Sequence, residues 1–495
     1  MLRLVNYRSV QFLICFVASL LLRVATFGDP NLHVDEAFYL LVGQEMHHGA
    51  VPYVDIWDRK PLGLFLIYWV FAAFPNGVLA YQLGACLAAA LTAFVICQIA
   101  RRWLPPAAAT SGGLLYLAML GPLLGFGGQS PVFYNTLVAA AALLVIDYLG
   151  GGRSWRLYLA MLLLGSAIAV KQTATFEAIF FGLAGWRHHA DWRKAAVQIM
   201  LGALPFCAIA GWYVLSGHWP AFYGAMVTAN TNRPFMGASV LWHNAGVLLA
   251  VMGAFAALTA YAILFANAKA PKRLLSGWLM AALLGFCSVP YLIDHYALPL
   301  LVPMTVIAAG AVERRPLGPV CWVFVCALAV LITGPQHFTR HQQSRQEFER
   351  MAAAIGDHHG GLGLLVFDGP SLLYSATNSR PPSPLVFPMH LNSDFEKDVG
   401  PRRSGPELDR ILAGAPDTVV MREKPITIPP DEAAFKHLIA YVNERCRPPL
   451  KALVYGPRAE PPALQLIYTG CGRSPHLTAS GMNSHPMPEQ QVHLP

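Results

Sequence analysis

Eleven apolar runs dominate the first two-thirds of this 495-residue chain. They lie at about 9–27, 78–100, 106–124, 132–148, 156–170, 173–186, 196–215, 240–266, 275–292, 296–312 and 317–334. A helix that crosses a bilayer needs roughly 20 mostly apolar residues. Inside the hydrocarbon every backbone polar group must be satisfied within the protein, so runs of this length can only be helices. Arg3 and Arg8 ahead of the first run also fit a signal peptide. Ten further spans follow, and the expectation is an uncleaved first helix. The expected fold is mainly α: a polytopic membrane protein with about eleven transmembrane helices and a small α/β extracytoplasmic C-terminal domain.

Charge agrees with this reading and gives it a direction. Only 13% of the residues are charged, against roughly 25% in soluble proteins. That excludes an ordinary soluble enzyme, a disordered protein and a disulfide scaffold. Residues 1–334 hold 19 Lys and Arg against 11 Asp and Glu, and residues 335–495 hold 16 of each, so the net charge of +8 belongs to the apolar part. With the N-terminus inside, the inner loops carry Arg3, Arg8, Arg101, Arg102, Arg153, Arg156, Arg187, Arg193, Lys194, Lys269, Lys272, Arg273, Arg314 and Arg315 against Asp191 and Glu313. The outer loops carry Arg59, Lys60, Lys171 and Arg233 against seven acids. Basic loops mark the cytoplasmic side, so the surplus is an orientation signal and needs no nucleic-acid partner. An odd number of spans then places residues 335–495 outside. The expected location is the inner membrane of a bacterium, with the N-terminus cytoplasmic and the C-terminal domain periplasmic. Arg23, Asp147 and Glu177 fall within spans or at their ends and are expected to neutralise one another or to face polar cavities.

The expected domains are 1–334, the membrane domain; 335–471, a periplasmic α/β domain; and 472–495, a disordered tail. Leu364–Phe367, Thr418–Met421 and Leu464–Tyr468 read as buried strands, and Glu407–Leu412 and Asp431–Asn443 as helices. Seven of the nine cysteines lie in spans. Cys446 and Cys471 lie outside, where an oxidising compartment permits a disulfide and leaves the pairing open. The sequence has no CxxC pair, zinc spacing, P-loop or internal repeat.

The outer loop at 28–77 is by far the longest in the membrane half. Asp35 and Glu36 stand side by side just past the first span, and Asp35 is placed to cap a helix starting at Glu36. A second cluster follows, with Tyr53, Asp55, Trp57, Asp58, Arg59, Lys60 and Pro61, and then an apolar segment, Leu62–Phe74, too short to span. Carboxylates and cations are thus gathered at the membrane boundary, at the level of a lipid headgroup. Arg59 is expected to pair with Asp55 or Asp58.

The pattern Asp35-Glu36-Ala37-Phe38-Tyr39, Gly49, Pro52-Tyr53, Asp55, Trp57-Asp58-Arg59-Lys60-Pro61, Gly63 resembles the first periplasmic loop of the bacterial GT-C glycosyltransferases. Those nearest in pattern are the protein O-mannosyltransferases and the lipid A aminoarabinose transferases. Asp368 within Val366–Pro370 and the stretch at Arg380 also look like those of bacterial members. The resemblance implies an inverting glycosyltransferase that moves a sugar from a polyprenyl-phosphate donor to an acceptor (lipid, glycan or protein) on the outer face. It implies Asp35 as the base that takes the acceptor proton, with Glu36 as a supporting acid or structural partner. Fixed cations must hold the leaving phosphate. Lys60, Lys171, Arg233, His295 and Tyr296 stand at the outer ends of the spans for that work. Tyr39, Tyr53, Asp55, Trp57, Asp58, Gln129 and Asn135 are the candidates for positioning the sugar and acceptor. Several relatives carry a second acid in the second outer loop. Here that loop, 125–131, has none, so no metal cofactor is expected, although His33 beside Asp35 and Glu36 leaves a divalent ion open. The rival readings are a membrane polysaccharide polymerase or ligase, and a lipid-linked-sugar transporter. A transporter should place its polar residues near the bilayer midplane and often shows two related halves. Here the charges cluster at one face.

Overall fold

The computed structural model describes residues 7–232, 234–235, 237–265, 270–289, 291–334, 338–425, 429–456 and 461–472. All eleven apolar runs are helical in it. Seven helices are long and apolar enough to cross a membrane: 8–26, 77–100, 130–149, 192–215, 238–264, 294–313 and the helical stretch beginning at Leu317. The other four runs form helices of 15 or 16 residues. The chain is a multi-pass membrane protein.

In chain order the first helices are α1 (Arg8–Arg23), α2 (Val34–His47), α3 (Leu62–Ala72), α4 (Gly77–Ala100), α5 (Pro106–Leu120), α6 (Ser130–Leu149), α7 (Trp155–Val170), α8 (Thr175–His189) and α9 (Trp192–Leu215). The bundle is built around α4. Its Ala85, Ala89 and Ala93, spaced one turn apart, are fully buried. Small side chains let backbones approach where lipid gives no hydrophobic drive for helices to pair. Gly113 of α5 sits over the Ala93 carbonyl, and Gly165 of α7 over the Gly202 carbonyl of α9; a Cβ at either would collide. At the edge of the bundle α9 keeps an apolar, exposed flank, including Ile199 and Leu215.

Polar groups at membrane depth are matched locally, and the expected mutual neutralisation of Arg23, Asp147 and Glu177 does not occur. Arg23 donates to the carbonyls of Phe126 (3.0 Å) and Gly125 (2.9 Å) and to the Ser19 hydroxyl. Glu177 accepts from the Trp278 indole at 2.7 Å. Asp147 pairs with Arg102 at the opposite end of the bundle from Arg23. Each group finds its partner one turn or one neighbouring helix away, because leaving it unmatched in a dry interior costs several kcal/mol, ~2–7.

The C-terminal domain carries β1 (Leu364–Val366), β2 (Thr418–Arg422), β3 (Leu450–Val454) and β4 (Ala463–Thr469), in the order β1-β2-β4-β3. β1 and β2 are parallel, and the other two pairings antiparallel. β3 is a strand beyond the three expected. Helices Ser404–Ala413 and Glu432–Arg445 stand where the sequence placed them, the second capped by Asp431, which accepts from the N–H groups of Ala433 and Ala434. Phe435 meets Phe367 edge-on across the sheet. Cys446 and Cys471 are disulfide-bonded. The expected tail, 472–495, lies outside the described residues except for Gly472.

A helix not read from the sequence, Phe338–Ile355, joins the two parts. Its His341 and Ser344 each hold one oxygen of buried Asp29 at 2.8 Å. Arg345 donates to the Phe27 carbonyl, and Glu347 accepts from the Leu453 N–H of β3. One helix thus ties the end of the first span to the sheet. Asp29→Ala leaves two buried donors unmatched and is expected to cost about 1–3 kcal/mol. The check is thermal unfolding of the purified protein in detergent. An unchanged melting temperature would show that this contact adds nothing.

Candidate functional site at the first loop

α2 begins at Val34 and is capped by His33, not by Asp35. His33 is extended, and its Nδ1 accepts from the Asp35 N–H at 3.2 Å. The Asp35 carboxylate is therefore not used on its own backbone, and it sits in the first turn, where the helix dipole favours negative charge.

The turn after α2 delivers Lys60. Tyr53 adopts φ 71°, uncommon for a residue with a side chain. Its N–H donates to the Ile56 carbonyl, and its hydroxyl donates to the Lys60 carbonyl at 2.8 Å. Asp58 accepts the Lys60 N–H at 2.7 Å. The backbone of Lys60 is thus held on both sides, and its ammonium lies 5.1 Å from the centre of the Tyr39 ring.

Asp35 and Lys60 open into a cavity of about 300 Å³. His33, Asp58, Arg59, His295 and Tyr296 line it from the membrane half. The C-terminal domain supplies the facing wall, with Asp368, Phe387, Met389, His390, Glu396 and Arg422. His295 Nε2 stands 3.9 Å from Asp35 Oδ2, and the His33 and His295 rings meet edge-on at 5.4 Å. Lys171 lies behind Tyr296, its ammonium 4.6 Å from the ring centre.

Burial works against a charge on Asp35, but Lys60 first, then His33, His295 and Lys171, outweigh it and hold the carboxyl well below the usual carboxylate range. Burial itself pulls His33 down to about 4. His33 is thus neutral at neutral pH, which leaves Lys60 as the main charge beside Asp35. Glu36 differs in every respect. It is fully buried and does not line the cavity. Burial, with the Asp35 charge adding to it, pushes Glu36 up to about 8, although the Gly128 N–H, Tyr81 and Arg23 pull the other way. Gly127 packs so closely on this carboxyl that a Cβ there would overlap it.

The structure therefore gathers Asp35, Lys60, Asp58, His295 and Tyr296 at one cavity, with Tyr39 and Lys171 just behind. It does not bring the rest of the candidates there. Asp55 turns the other way, accepts the Val51 N–H at 2.7 Å, and lines a separate groove with Glu45 and His48. Trp57 packs 4.7 Å from the His390 ring, and its backbone N–H donates to the Pro384 carbonyl. Asn135 is buried in the bundle and donates to the Leu298 carbonyl at 3.1 Å, and Gln129 is buried at the start of α6. Arg233 lies outside the described residues. Arg59 pairs with Glu396 of the C-terminal domain. No group of three or more His, Cys, Asp or Glu is arranged to hold a metal among the described residues.

The facing wall escaped the sequence reading. Asp368 follows β1 and Arg422 ends β2, 3.6 Å apart. Polar residues at the carboxyl ends of parallel strands are where open α/β sheets bind ligands, and that was the available signal.

The fold is ArnT-like. No protein-family model and no curated protein sequence matches the chain. Its structure is similar to that of ArnT from Cupriavidus metallidurans in the apo state, with a TM-score of 0.62 and 12% identity over 94% of this chain and 99% of that one. It is also similar to the same protein bound to undecaprenyl phosphate, with a TM-score of 0.60 and 13% identity over 94% and 99%. An oligosaccharyltransferase of Archaeoglobus fulgidus aligns more loosely, at a TM-score of 0.45 and 11% identity over 83% of this chain and 68% of that one.

The pKa of Glu36 yields a stability prediction. Between its ordinary 4.5 and about 8 the folded protein keeps a proton that the unfolded chain releases. Stability from this group is therefore complete below about 4.5 and is lost as pH rises through about 8. His33 works in the opposite sense below 6.5. The clean window is thus between about 6.5 and about 8. There the wild-type melting temperature should fall with pH, and Glu36→Gln should flatten the fall. Parallel curves for the two proteins would show that Glu36 is ionised throughout.

Proposed function

We propose that the chain is an inverting glycosyltransferase that moves a sugar from a polyprenyl-phosphate donor to an acceptor at the outer face of the membrane. The observation that carries this is the cavity in which an ionised Asp35 stands beside Lys60 and His295, at the boundary between spanning helices and the C-terminal domain. The GT-C fold supports the reading, as does the undecaprenyl phosphate bound by the similar ArnT.

In the proposed reaction an acceptor oxygen or nitrogen attacks the anomeric carbon from the face opposite the phosphate. The new bond forms as the bond from that carbon to the phosphate oxygen breaks, and the configuration inverts. Asp35 takes the proton of the acceptor and stabilises the positive charge that develops on the sugar, as carboxylates do in other glycosyl chemistry. The electron pair of the broken bond goes to the polyprenyl phosphate. Lys60 and His295 hold that phosphate, with Lys171 adding its field from behind Tyr296. The donor phosphodiester already carries one negative charge and the departing phosphate gains more, so these fixed cations bind most strongly as the bond breaks and lower the barrier. Glu36 is a supporting group: it is uncharged near neutral pH and holds the first turn of α2 against Gly127. The leaving phosphate is stable as an anion, so no acid need protonate it. The sugar and the acceptor follow from the walls of the cavity, to which Arg422, Asp368 and His390 contribute.

Asp35→Asn keeps size and shape but removes the base, and should lower transfer by about 10²–10⁴-fold. Lys60→Ala should lower it by about 10²–10³-fold. The measurement is mass spectrometry of cell-envelope lipids and glycans from cells with the wild-type gene, each variant, or no gene. One component should lose a sugar in the deletion and in Asp35→Asn alike. An Asp35→Asn strain indistinguishable from wild type, with the protein present in the membrane, would overturn the assignment.

A further inference from the structure

Lys60 keeps Asp35 ionised, and the same field weakens it as a base. A carboxylate that is content with its charge takes a proton in passing and gives it up at once. The acceptor's proton therefore has to travel further. Its destination is fixed by the chemistry: a phosphate monoester leaving a sugar takes up its second proton at about pH 6.

Two imidazoles flank Asp35. His33 is closed to the task, because its Nδ1 already accepts the Asp35 N–H at 3.2 Å and burial pulls it down to about 4. His295, on the short helix Asp294–Leu300, is placed differently. Its Nε2 stands 3.9 Å from Asp35 Oδ2, and its Nδ1 stands 3.4 Å from Asp294 Oδ1. That Nδ1 is buried and makes no hydrogen bond among the described residues. A neutral imidazole has one donor nitrogen and one acceptor, whereas an imidazolium has two donors. Here a carboxylate oxygen faces each nitrogen, so the surroundings match the protonated ring, and the idle Nδ1 is what the neutral ring leaves over. Asp294 is fixed beside the ring by accepting the His295 N–H at 2.7 Å. Both ring contacts are longer than a hydrogen bond, as catalytic contacts often are before a substrate closes them.

The other charged groups at this cavity are Asp58 and Lys60 on the first loop, Lys171 behind Tyr296, and the pairs Arg59–Glu396 and Asp368–Arg422. Tyr291 and Tyr296 are the phenols that line it. His390 across the cavity is pulled down to about 3 by burial and stays neutral. Of the helices packed on the His295 turn, Ser130–Leu149 and Lys272–Cys287 keep their charged residues at the far end of the bundle, beside Arg102, and Ala238–Leu264 carries only His243.

We infer that His295 is a proton carrier: its Nε2 takes the acceptor's proton from Asp35 and delivers it to the phosphate that leaves the sugar. The inference rests on the transfer proposed above. As the acceptor bonds to the anomeric carbon, its proton moves to Asp35 Oδ2 and on to His295 Nε2. The imidazolium, steadied by Asp294, then meets the phosphate oxygen that received the electron pair of the broken bond, and the proton passes to that oxygen. Asp35 ends ionised and His295 neutral, and the proton lost by the acceptor is the one gained by the phosphate. Asp294 is a positioning residue in this sequence. A fixed cation at His295 would have to be charged before the reaction, whereas a carrier has to be neutral, so the two roles give pH dependences of opposite sign.

The test uses right-side-out membrane vesicles from cells that make the full-length protein. Such vesicles carry their own donor and acceptor, and their outer face meets the buffer. Mass spectrometry follows how fast the envelope component that lacks a sugar in the deletion strain gains it. The wild-type rate should rise as pH climbs through the imidazole range, about 6 to 7; a rate that falls there would overturn the carrier in favour of a fixed cation. His295→Gln should lose about 10²–10⁴-fold, and His295→Arg, which keeps a permanent cation, should be no better. Recovery by His295→Arg to within about tenfold of wild type would also overturn the carrier. Asp294→Asn should move the rise to lower pH, because the imidazolium loses a carboxylate that favours it; a slower rate with the rise unmoved would reject Asp294 as the positioning residue. Should both His295 variants be missing from the membrane, the wild-type and Asp294→Asn profiles decide. An inactive Asp35→Asn with a fully active His295→Gln would sink this inference alone, whereas an active Asp35→Asn would sink the reading beneath it.

Discussion

A carboxylate sealed from water needs a fixed cation beside it, or it gives up its charge. Glu36 is fully buried and Asp35, only 13% exposed, faces the cavity, and the two adjacent acids show the two outcomes. Lys60 stands by Asp35, which stays ionised; the pull of Arg23 on Glu36 is too weak to offset its burial, which holds it protonated near neutral pH. Much of the first loop serves that one difference. The left-handed turn at Tyr53, its hydroxyl on the Lys60 carbonyl, and Asp58 on the Lys60 N–H all fix the backbone that carries the ammonium. Two acids in sequence thereby become one charged group facing a cavity and one neutral group packed behind it, the separation of roles that environment imposes on paired carboxyls elsewhere.

The C-terminal domain is part of the site. Asp368 and Arg422 leave the ends of neighbouring parallel strands toward the same cavity that Asp35 opens into. Trp57 against His390, and the Trp57 N–H on the Pro384 carbonyl, dock the loop onto that domain. The loop alone would present its carboxylate to open water, where a cation beside it matters far less.

The membrane helices were legible because the bilayer leaves a chain so few choices. An apolar run of that length has one structure available, and polar residues within it stand out. Strands β1, β2 and β4 were legible as unbroken apolar runs. β3 was not, because it starts with exposed Leu450 and Lys451 after two prolines and buries only alternate residues after that. The helix Phe338–Ile355 was missed because its polar surface begins where the last apolar run ends, and only Phe348, Met351 and Ile355 mark its inner face. At the site, Asp35 and Lys60 could be read because charge is scarce in the membrane half. Asp55 and Asp58 looked equivalent, yet three residues around a tight turn send them to different cavities. The Arg59 partner could not be read at all: Glu396 lies more than 300 positions further on, and nothing local at either end announces the pair.

That pair limits how a ligand can enter. Arg59 is buried and Glu396 half-buried, so a swing of the C-terminal domain away from the bundle would have to part them. For the donor of the proposed reaction, a way in that leaves the pair closed runs sideways, along the level of the lipid headgroups. A hydrocarbon-tailed substrate already travels in that plane, and it could slide its polar end under the domain while leaving its tail outside.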